Sequence, residues 1–422
     1  MAKWIFLLGV VFAAGLAVCP AAAQTELDLE GLIEEALANN PELNLLRLRW
    51  SAEAARIPGA GALQDPMFKV ELSNVPLSEF DFDSTPMSGK QLTISQKLPY
   101  WGKRADRERL AGHAAAAAKA TYLDREGGIV NKVKQAYFNL VFLDRSIEIT
   151  TNNEALLKDF IRIAQTKYAV GKGPQQDVLK AQVSLSSTKD RLIFLQRQRR
   201  HAEARLNTAL NRLPQAPLGR PQATLPTFFN YAVEALQEMA LEYRPQLQGL
   251  REDRQKWQVA EDLARRQYRP DFDISLAYRQ RDFSGDPVAG SDFLSLGVMV
   301  NLPIYQGRKQ DQQVLEAQFR RKAAAAQYEV VKQQIFLQIQ QFFIDVQTHR
   351  EEADLFHTAI IPQANQSLVA AMTGYQVDKV DFLTLLDSQV KLFNFEIAYN
   401  HHMSEREKAL AGLEAVVGKR LF

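Results

Sequence analysis

Along the chain, the spacing of apolar residues switches repeatedly between two periods. Phe68, Val70 and Leu72 alternate with Lys69, Glu71 and Ser73, and Leu92, Ile94 and Leu98 with Thr93, Ser95 and Lys97. The alternation returns downstream. Phe272, Ile274, Leu276 and Tyr278 are set against Asp271, Asp273, Ser275 and Arg279, and Leu294, Leu296, Val298, Val300 and Leu302 against Ser295, Gly297, Met299 and Asn301. Period two with one apolar face predicts four β-strands. Each would run about 9–11 residues, the length that crosses an outer membrane. Polar loops over 75–89 and 280–291 join the two pairs.

Elsewhere the period is helical. Stretches 41–57 and 245–268 precede the strand pairs, and 103–168 and 308–374 follow them. Val133, Ala136, Tyr137, Leu140 and Val141 show helix spacing. A run of about 65 residues at 1.5 Å each spans about 97 Å. Turns at Gly171-Lys172-Gly173-Pro174 and Asp378-Lys379-Val380 lead into returning helices over 176–213 and 382–417. Leu185, Leu192, Leu206 and Leu213 fall on a sevenfold spacing that Arg199 interrupts, as in a coiled coil. The first return arm stops at the Pro-rich stretch 214–226, so it and 245–268 would lie end to end along one outgoing helix. Pro362 should kink the second long helix.

These parts recur in order. Asn40-Pro41-Glu42-Leu43 reappears as Arg244-Pro245-Gln246-Leu247, Asp65-Pro66-Met67-Phe68 as Arg269-Pro270-Asp271-Phe272, and Leu98-Pro99 as Leu302-Pro303, each 204 positions on. Tyr168-Ala169-Val170 reappears as Tyr375-Gln376-Val377 at an offset of 207. The chain reads as one unit written twice, over 24–226 and 227–422.

Of the 422 residues, 1–23 form an export leader. Lys3 opens it, 4–18 is apolar, and Ala21-Ala22-Ala23 offers a cleavage site before Gln24. The sole cysteine, Cys19, lies in that leader. A lipidated Cys19 is disfavoured by Val18 before it and Pro20 after it, and the mature chain has no disulfide and no thiol chemistry. Beyond the leader, no run reaches the roughly 18 apolar residues of a spanning helix. With 51 Lys+Arg against 49 Asp+Glu, a net charge of +2 gives no reason to expect nucleic acid as a partner.

Four strands cannot close a membrane barrel, for which about eight is the minimum. An open edge in lipid costs several kcal/mol per unpaired backbone group, so chains must associate.

The order of half-helix, strand pair, long helix, turn and return helix, duplicated, resembles the TolC-like outer-membrane efflux factors. So do Leu98-Pro99-Tyr100-Trp101-Gly102-Lys103-Arg104, its partner Leu302-Pro303-Ile304-Tyr305-Gln306-Gly307-Arg308, and the turn Tyr168-x-Val170-Gly171 with Asp177-Val178-Leu179. The resemblance implies a mainly α chain with membrane β-strands. Long antiparallel hairpins would form an α-barrel, and a homotrimer would close a 12-stranded β-barrel in outer-membrane lipid. It also implies a passive exit duct, with a long periplasmic portion, working with a periplasmic adaptor (membrane fusion protein) and an inner-membrane pump. Pro66-Met67-Phe68, Thr85-Pro86-Met87 and 98–104 resemble the heavy-metal-efflux branch more than the drug-exporting one. A channel for type I protein secretion is an alternative, and a periplasmic coiled-coil adaptor is a rival that the duplicated strand pairs argue against.

The resemblance also places a periplasmic gate at Asp177, Tyr375, Asp387 and Thr384, and adaptor-docking tips at Gly171, Lys172, Gly173, Pro174, Asp378, Lys379 and Val380. Asp387 matches the second of two acidic gate positions, Thr384 stands at the first, and Val380 replaces the family's gate arginine. Tyr375 and Asp177 match positions that form a closing hydrogen bond. Asp378, Asp381 and Asp387 would become rings of three in a trimer, and narrow acidic rings attract cations. The plainer reading is a solvated helix start.

No nucleotide, zinc-protease or hydrolase motif is present, so the sequence reads as neither an enzyme nor a cofactor protein. His401-His402 is the most ligand-like pair, although adjacent helical residues point about 100° apart and a solvated face is the plainer reading. His113, His201, His349 and His357 have no ligand spacing in sequence. Met67 and Met87 could touch a soft cation or simply pack. Phe80, Phe82, Tyr100, Trp101, Tyr268, Tyr278, Phe283 and Tyr305 gather at strand ends, as in interfacial belts.

Overall fold

The computed structural model describes residues 26–222, 226–283, 285 and 291–422. The expected leader, with Cys19, lies outside them. The described chain is mainly helical with one four-stranded antiparallel sheet, in the order helices, strand pair, helices, strand pair, helices.

The first half runs α1 (Leu29–Asn39), α2 (Pro41–Gly61), β1 (Met67–Ser73), β2 (Gly89–Leu98), α3 (Lys103–Ala169) and α4 (Gln175–Ala209). The second runs α5 (Val233–Tyr243), α6 (Pro245–Arg266), β3 (Phe272–Gln280), β4 (Phe293–Val300), α7 (Gln310–Leu355), α8 (Ile361–Gln376) and α9 (Phe382–Val417). The short helices α1 and α5 stand at matching places in the two halves. Each is amphipathic: Leu32, Ile33 and Ala36 of α1, and Leu236 and Ala240 of α5, are buried. Asp28 caps α1 by accepting from the Gly31 N–H at 3.0 Å, and Asn40 caps α2 by accepting from Glu42 and Leu43.

α3 is one unbroken helix of 67 residues, about 100 Å long. α2 and α6 pack along its first half, and α4 returns along the second. The second long run departs from expectation. It begins with a 3₁₀ turn (Gln306–Arg308), and α7 and α8 are separated by a π-helical segment, Phe356–Ile360. The cause is Pro362, which has no N–H to continue the α-ladder. The strain is taken up by one widened turn before the proline.

The first return helix ends at Ala209, so Leu213 lies beyond it and is exposed. The packed seam of α4 is a full heptad, alternating Val178, Leu185, Leu192 and Leu206 with Ala181, Thr188, Leu195 and Ala202. At Arg199 the seam carries a guanidinium, which pairs with Asp144 and Glu203. At the middle of the molecule, half-buried Lys134 meets Glu414 at 2.7 Å. Arg244 pairs with Asp124 at 3.2 Å, and burial lowers its pKa.

Among the described residues no helix is long and apolar enough to cross a membrane. The strands are shorter than or within the expected span, at 7, 10, 9 and 8 residues. Their order is β1-β2-β3-β4, so the two halves of the chain meet at the central β2–β3 ladder, where Leu98 pairs with Phe272 and Lys90 with Gln280.

Candidate functional site

Two regions hold the residues that the sequence singles out: the sheet and the hairpin tips. Register decides the chemistry of the sheet. Val70, Leu92, Tyr278 and Leu294 form one cross-strand row, and Phe68, Ile94, Leu276 and Leu296 the next. Ile274 and Val298 continue that face, ending at Leu98, Phe272 and Val300. The other face carries Lys69, Thr93, Ala277 and Ser295, then Met67, Ser95, Ser275 and Gly297. Cross-strand partners share a face, so the alternation in four separate segments sums to one apolar and one polar surface. The apolar surface is open in the single chain, with Leu296 74% and Val298 62% exposed. β1 and β4 each have one unpaired edge.

Aromatic residues gather at both ends of this sheet. Tyr100 and Trp101 pack edge to face at the helix end, where Trp101 and Tyr305 are exposed. Phe80 and Phe82 pack together at the loop end, with Lys90 over the Phe82 ring. Met67 and Met87 are exposed at opposite ends of the β1–β2 hairpin and do not converge.

The strand-to-helix elbow explains the 98–104 motif. Buried Lys103 donates to Asp271 and to the Arg269 carbonyl, both at 2.8 Å, and Asp271 also accepts from the Tyr100 N–H. Gly102 has φ +84°, and a Cβ there would lie 2.3 Å from the Arg266 guanidinium. The motif pins β2 and α3 of one half to β3 of the other.

At the tip the two turns are closed by the same device. The Lys172 N–H donates to the Lys167 carbonyl at 2.9 Å, around Gly171 at φ +72°. The Lys379 N–H donates to the Gly374 carbonyl at 2.9 Å, around Asp378 at φ +59°. Both are helix ends with a left-handed residue after the last turn. Gly171 needs its freedom for that φ; Gly173 does not, although a Cβ there would press on Lys167 at 3.2 Å. No atom lies within 4 Å of where a Gly171 side chain would begin, so that position looks outward.

The turns are tied to each other. Tyr375 is 5% exposed, and its hydroxyl donates to Asp177 Oδ2 at 3.2 Å. Lys167 donates to the Tyr375 carbonyl, pairs with Asp378 and lies 4.4 Å over the Tyr375 ring. Burial, then the charge of Asp177, pushes the Tyr375 phenol far above its usual range. The hydrogen bond from Lys167 holds Asp378 below the usual carboxylate range, and that from Thr384 does the same for Asp381. Thr384 and Asp387 lie exposed one turn apart on α9, and Asp387 pairs with Lys391 at 2.8 Å. Val380 packs into the tip core, close enough to Gly374 that a Cβ there would clash at 2.5 Å. Lys172 and Pro174 complete the exposed surface of the first turn.

Of the histidines, His113 meets Glu252 at 2.8 Å and His401 rests on the Phe142 ring. Sequence spacing gave His349 no partner, yet the fold brings it to His402 at 3.2 Å.

The family model for outer membrane efflux proteins matches residues 32–212 and 236–419. The chain belongs to that family. The efflux protein is 25% identical over 406 residues to the cobalt-zinc-cadmium resistance protein CzcC of Cupriavidus metallidurans, covering 95% of this chain and 92% of the relative. It is 26% identical over 198 residues to toxin and drug export protein A of Aggregatibacter actinomycetemcomitans, covering 46% of this chain and 43% of that one. The fold is that of the outer membrane protein VceC of Vibrio cholerae (TM-score 0.78, 20% identity, 93% and 97% covered). It is also that of CusC (TM-score 0.79, 17% identity, 94% and 92% covered).

Proposed function

We propose that this efflux protein is one third of an outer-membrane exit duct. The observation that carries the reading is the sheet, whose four strands have one apolar exposed face and an unpaired edge on each side. β4 of one protomer would pair with β1 of the next until three chains close twelve strands and no edge meets lipid. The polar face would then line the pore, and the aromatic residues at both sheet ends would sit at the two interfaces. The long hairpins would wall a tunnel through the periplasm, with the leader 1–23 removed on export. In this reading 24–226 and 227–422 are two efflux-factor repeats.

At the far end, Tyr375 and Asp177 would latch the resting gate, with Thr384 and Asp387 facing the constriction. The tips Gly171, Lys172, Gly173, Pro174 and Asp378, Lys379, Val380 would dock a periplasmic adaptor that links the duct to an inner-membrane pump. That CzcC, named for cobalt, zinc and cadmium resistance, aligns over nearly the whole chain supports heavy-metal cations as cargo. The toxin and drug exporter aligns over less than half, which gives the protein-secretion reading less support.

Cells producing the chain should show heat-modifiable trimers in the outer-membrane fraction. With a cognate adaptor and pump, they should gain cobalt, zinc or cadmium tolerance that the pump and adaptor alone do not provide. Monomer confined to the soluble periplasm would overturn the duct. Trimers without any gain in metal tolerance would overturn the cargo and leave the duct standing.

A further inference from the structure

Midway along the second hairpin, side chains of α7 and α9 converge in a way the tip and the sheet do not use. His349 and Glu352 stand three residues apart on α7, and His402 faces them from α9. His349 Nδ1 and His402 Nδ1 are 3.2 Å apart. Glu352 Oε2 lies 2.8 Å from His402 Nδ1 and 3.2 Å from His349 Nδ1. The three donor atoms thus form a nearly equilateral triangle.

We propose that His349, Glu352 and His402 bind a divalent cation of the zinc and cobalt class. Ligand bonds of about 2.0–2.1 Å at a tetrahedral angle put donor atoms about 3.3 Å apart, close to the edges of this triangle. Hydrogen bonding alone satisfies the cluster poorly. If both Nδ1 atoms carry a proton and donate to Glu352, two N–H groups face each other at 3.2 Å; if one is a bare lone pair, it competes with the carboxylate for the other's proton. One cation at the centre satisfies all three at once. The donor set selects the metal: two imidazoles and a carboxylate suit zinc, cobalt, nickel or copper(II). It lacks the thiolates favoured by copper(I) and the all-oxygen shell of magnesium or calcium.

The surroundings fit a site with three protein ligands and one open position. His402 is 16% exposed, while Glu352 is 42% exposed and keeps the cluster reachable from solvent. The Phe356 ring stacks on the His402 imidazole, with centroids 5.4 Å apart at 22°. Phe356 is the first residue of the π-helical segment, so the widened turn before Pro362 places this apolar wall against the ligand. His401, one residue away, points instead to Phe142 and lies 3.9 Å from Glu405. The cluster lies about twenty residues from the tip along α9, roughly 30 Å, so it is separate from the gate. The inference rests on this triangle and not on the identity of the cargo.

The assembled full-length protein, stripped with EDTA and dialysed, should take up Co2+ with the visible absorption of a tetrahedral complex. It should saturate at one ion per chain, and Zn2+ should displace the Co2+. His349→Ala and His402→Ala should each weaken binding at least tenfold, while His401→Ala binds as the parent does. Glu352→Gln keeps the shape of the helix surface and should also lose at least tenfold, with trimer bands showing that each variant assembles. A titration without saturation overturns the site, as does parental affinity in the His349→Ala/His402→Ala double variant. Equal loss in His401→Ala would also overturn it.

Discussion

Tyr375 is the side chain on which both turns of the tip converge: its hydroxyl reaches Asp177 and its ring carries Lys167. A phenol donating to a carboxylate is a charge-assisted bond worth about 1.5–3 kcal/mol. Tyr375→Phe removes it and keeps the ring against Phe382, at 5.4 Å. Single-channel conductance should rise and cells should become sensitive to large antibiotics such as vancomycin; parental values for both would make Tyr375 a packing residue only. The pH dependence has a sign on each side. The phenol's pKa is raised above its ordinary 10.0, so its share of tip stability is complete below pH 10 and fails only in stronger alkali. Asp378 and Asp381 are lowered from 3.8, so their shares are complete above that value and fail as the pH falls further. Closed-state conductance should therefore be flat from about pH 5 to 9 and rise in acid.

Gly171 and Asp378 hold equivalent places in the two turns, and Asp378 shows that a short polar side chain tolerates the left-handed backbone there. Gly171→Asn should leave folding and trimer yield intact. Gly171→Trp, whose side chain would project from the tip, should abolish efflux in trimers that still assemble. Full efflux from Gly171→Trp would move the adaptor's contact elsewhere. Asp387 is paired with Lys391, so a ring of three Asp387 carboxylates is also a ring of three ammonium groups. Asp387→Asn should then lower cation selectivity in planar bilayers and even invert it where Lys391 dominates, an effect that shrinks at 1 M salt, where the Debye length is about 3 Å. An unchanged reversal potential would place Asp387 away from the pore.

At the scale of elements, the sheet offers the sharpest contrast. Leu296 and Val298 lie on the apolar face and Ser295 on the polar one. Val298→Arg should cost about 2–4 kcal/mol if it lies near the bilayer midplane, and trimer yield should fall; Ser295→Arg should assemble normally. Equal yields would overturn the assignment of a lipid face to these strands. The strands are legible because alternation is a local signal, and the matching order of elements in the two halves because prolines at fixed offsets mark their boundaries. α1 and α5 are poorly marked in the sequence, although Leu32, Ile33 and Ala36 have helical spacing: eleven residues are too few to stand out beside a helix six times longer. The α4 seam was half visible. One side of its heptad is largely leucine, but Ala181, Thr188 and Ala202 on the other carry no hydrophobic signal. The Tyr375–Asp177 contact came from the resemblance, since no local pattern links residues so far apart. The His349–Glu352–His402 triangle is illegible for the same reason, since its members come from two helices, while the adjacent His401 rests on Phe142.

Taken whole, the two halves of the molecule follow a similar order of elements and differ where they touch. Tyr375 reaches Asp177, whereas its counterpart Tyr168 is exposed, with Thr384 at the place equivalent to Asp177. Gly102-Lys103 makes the buried elbow of the first half, and the second enters its helix through a 3₁₀ turn instead. The ladder that joins the halves also sets a clock. β2 ends at Leu98 and β3 begins at Phe272, so the central pairing waits for α3, α4, α5 and α6 to be made. The β1–β2 ribbon alone is a two-stranded hairpin, marginal in water. The α3–α4 hairpin closes through neighbours in sequence and can form early, while the long-range ladder forms late. A chain interrupted before Phe272 would thus own one finished hairpin and half a sheet, so the broad apolar face is completed only by the arrival of the second half.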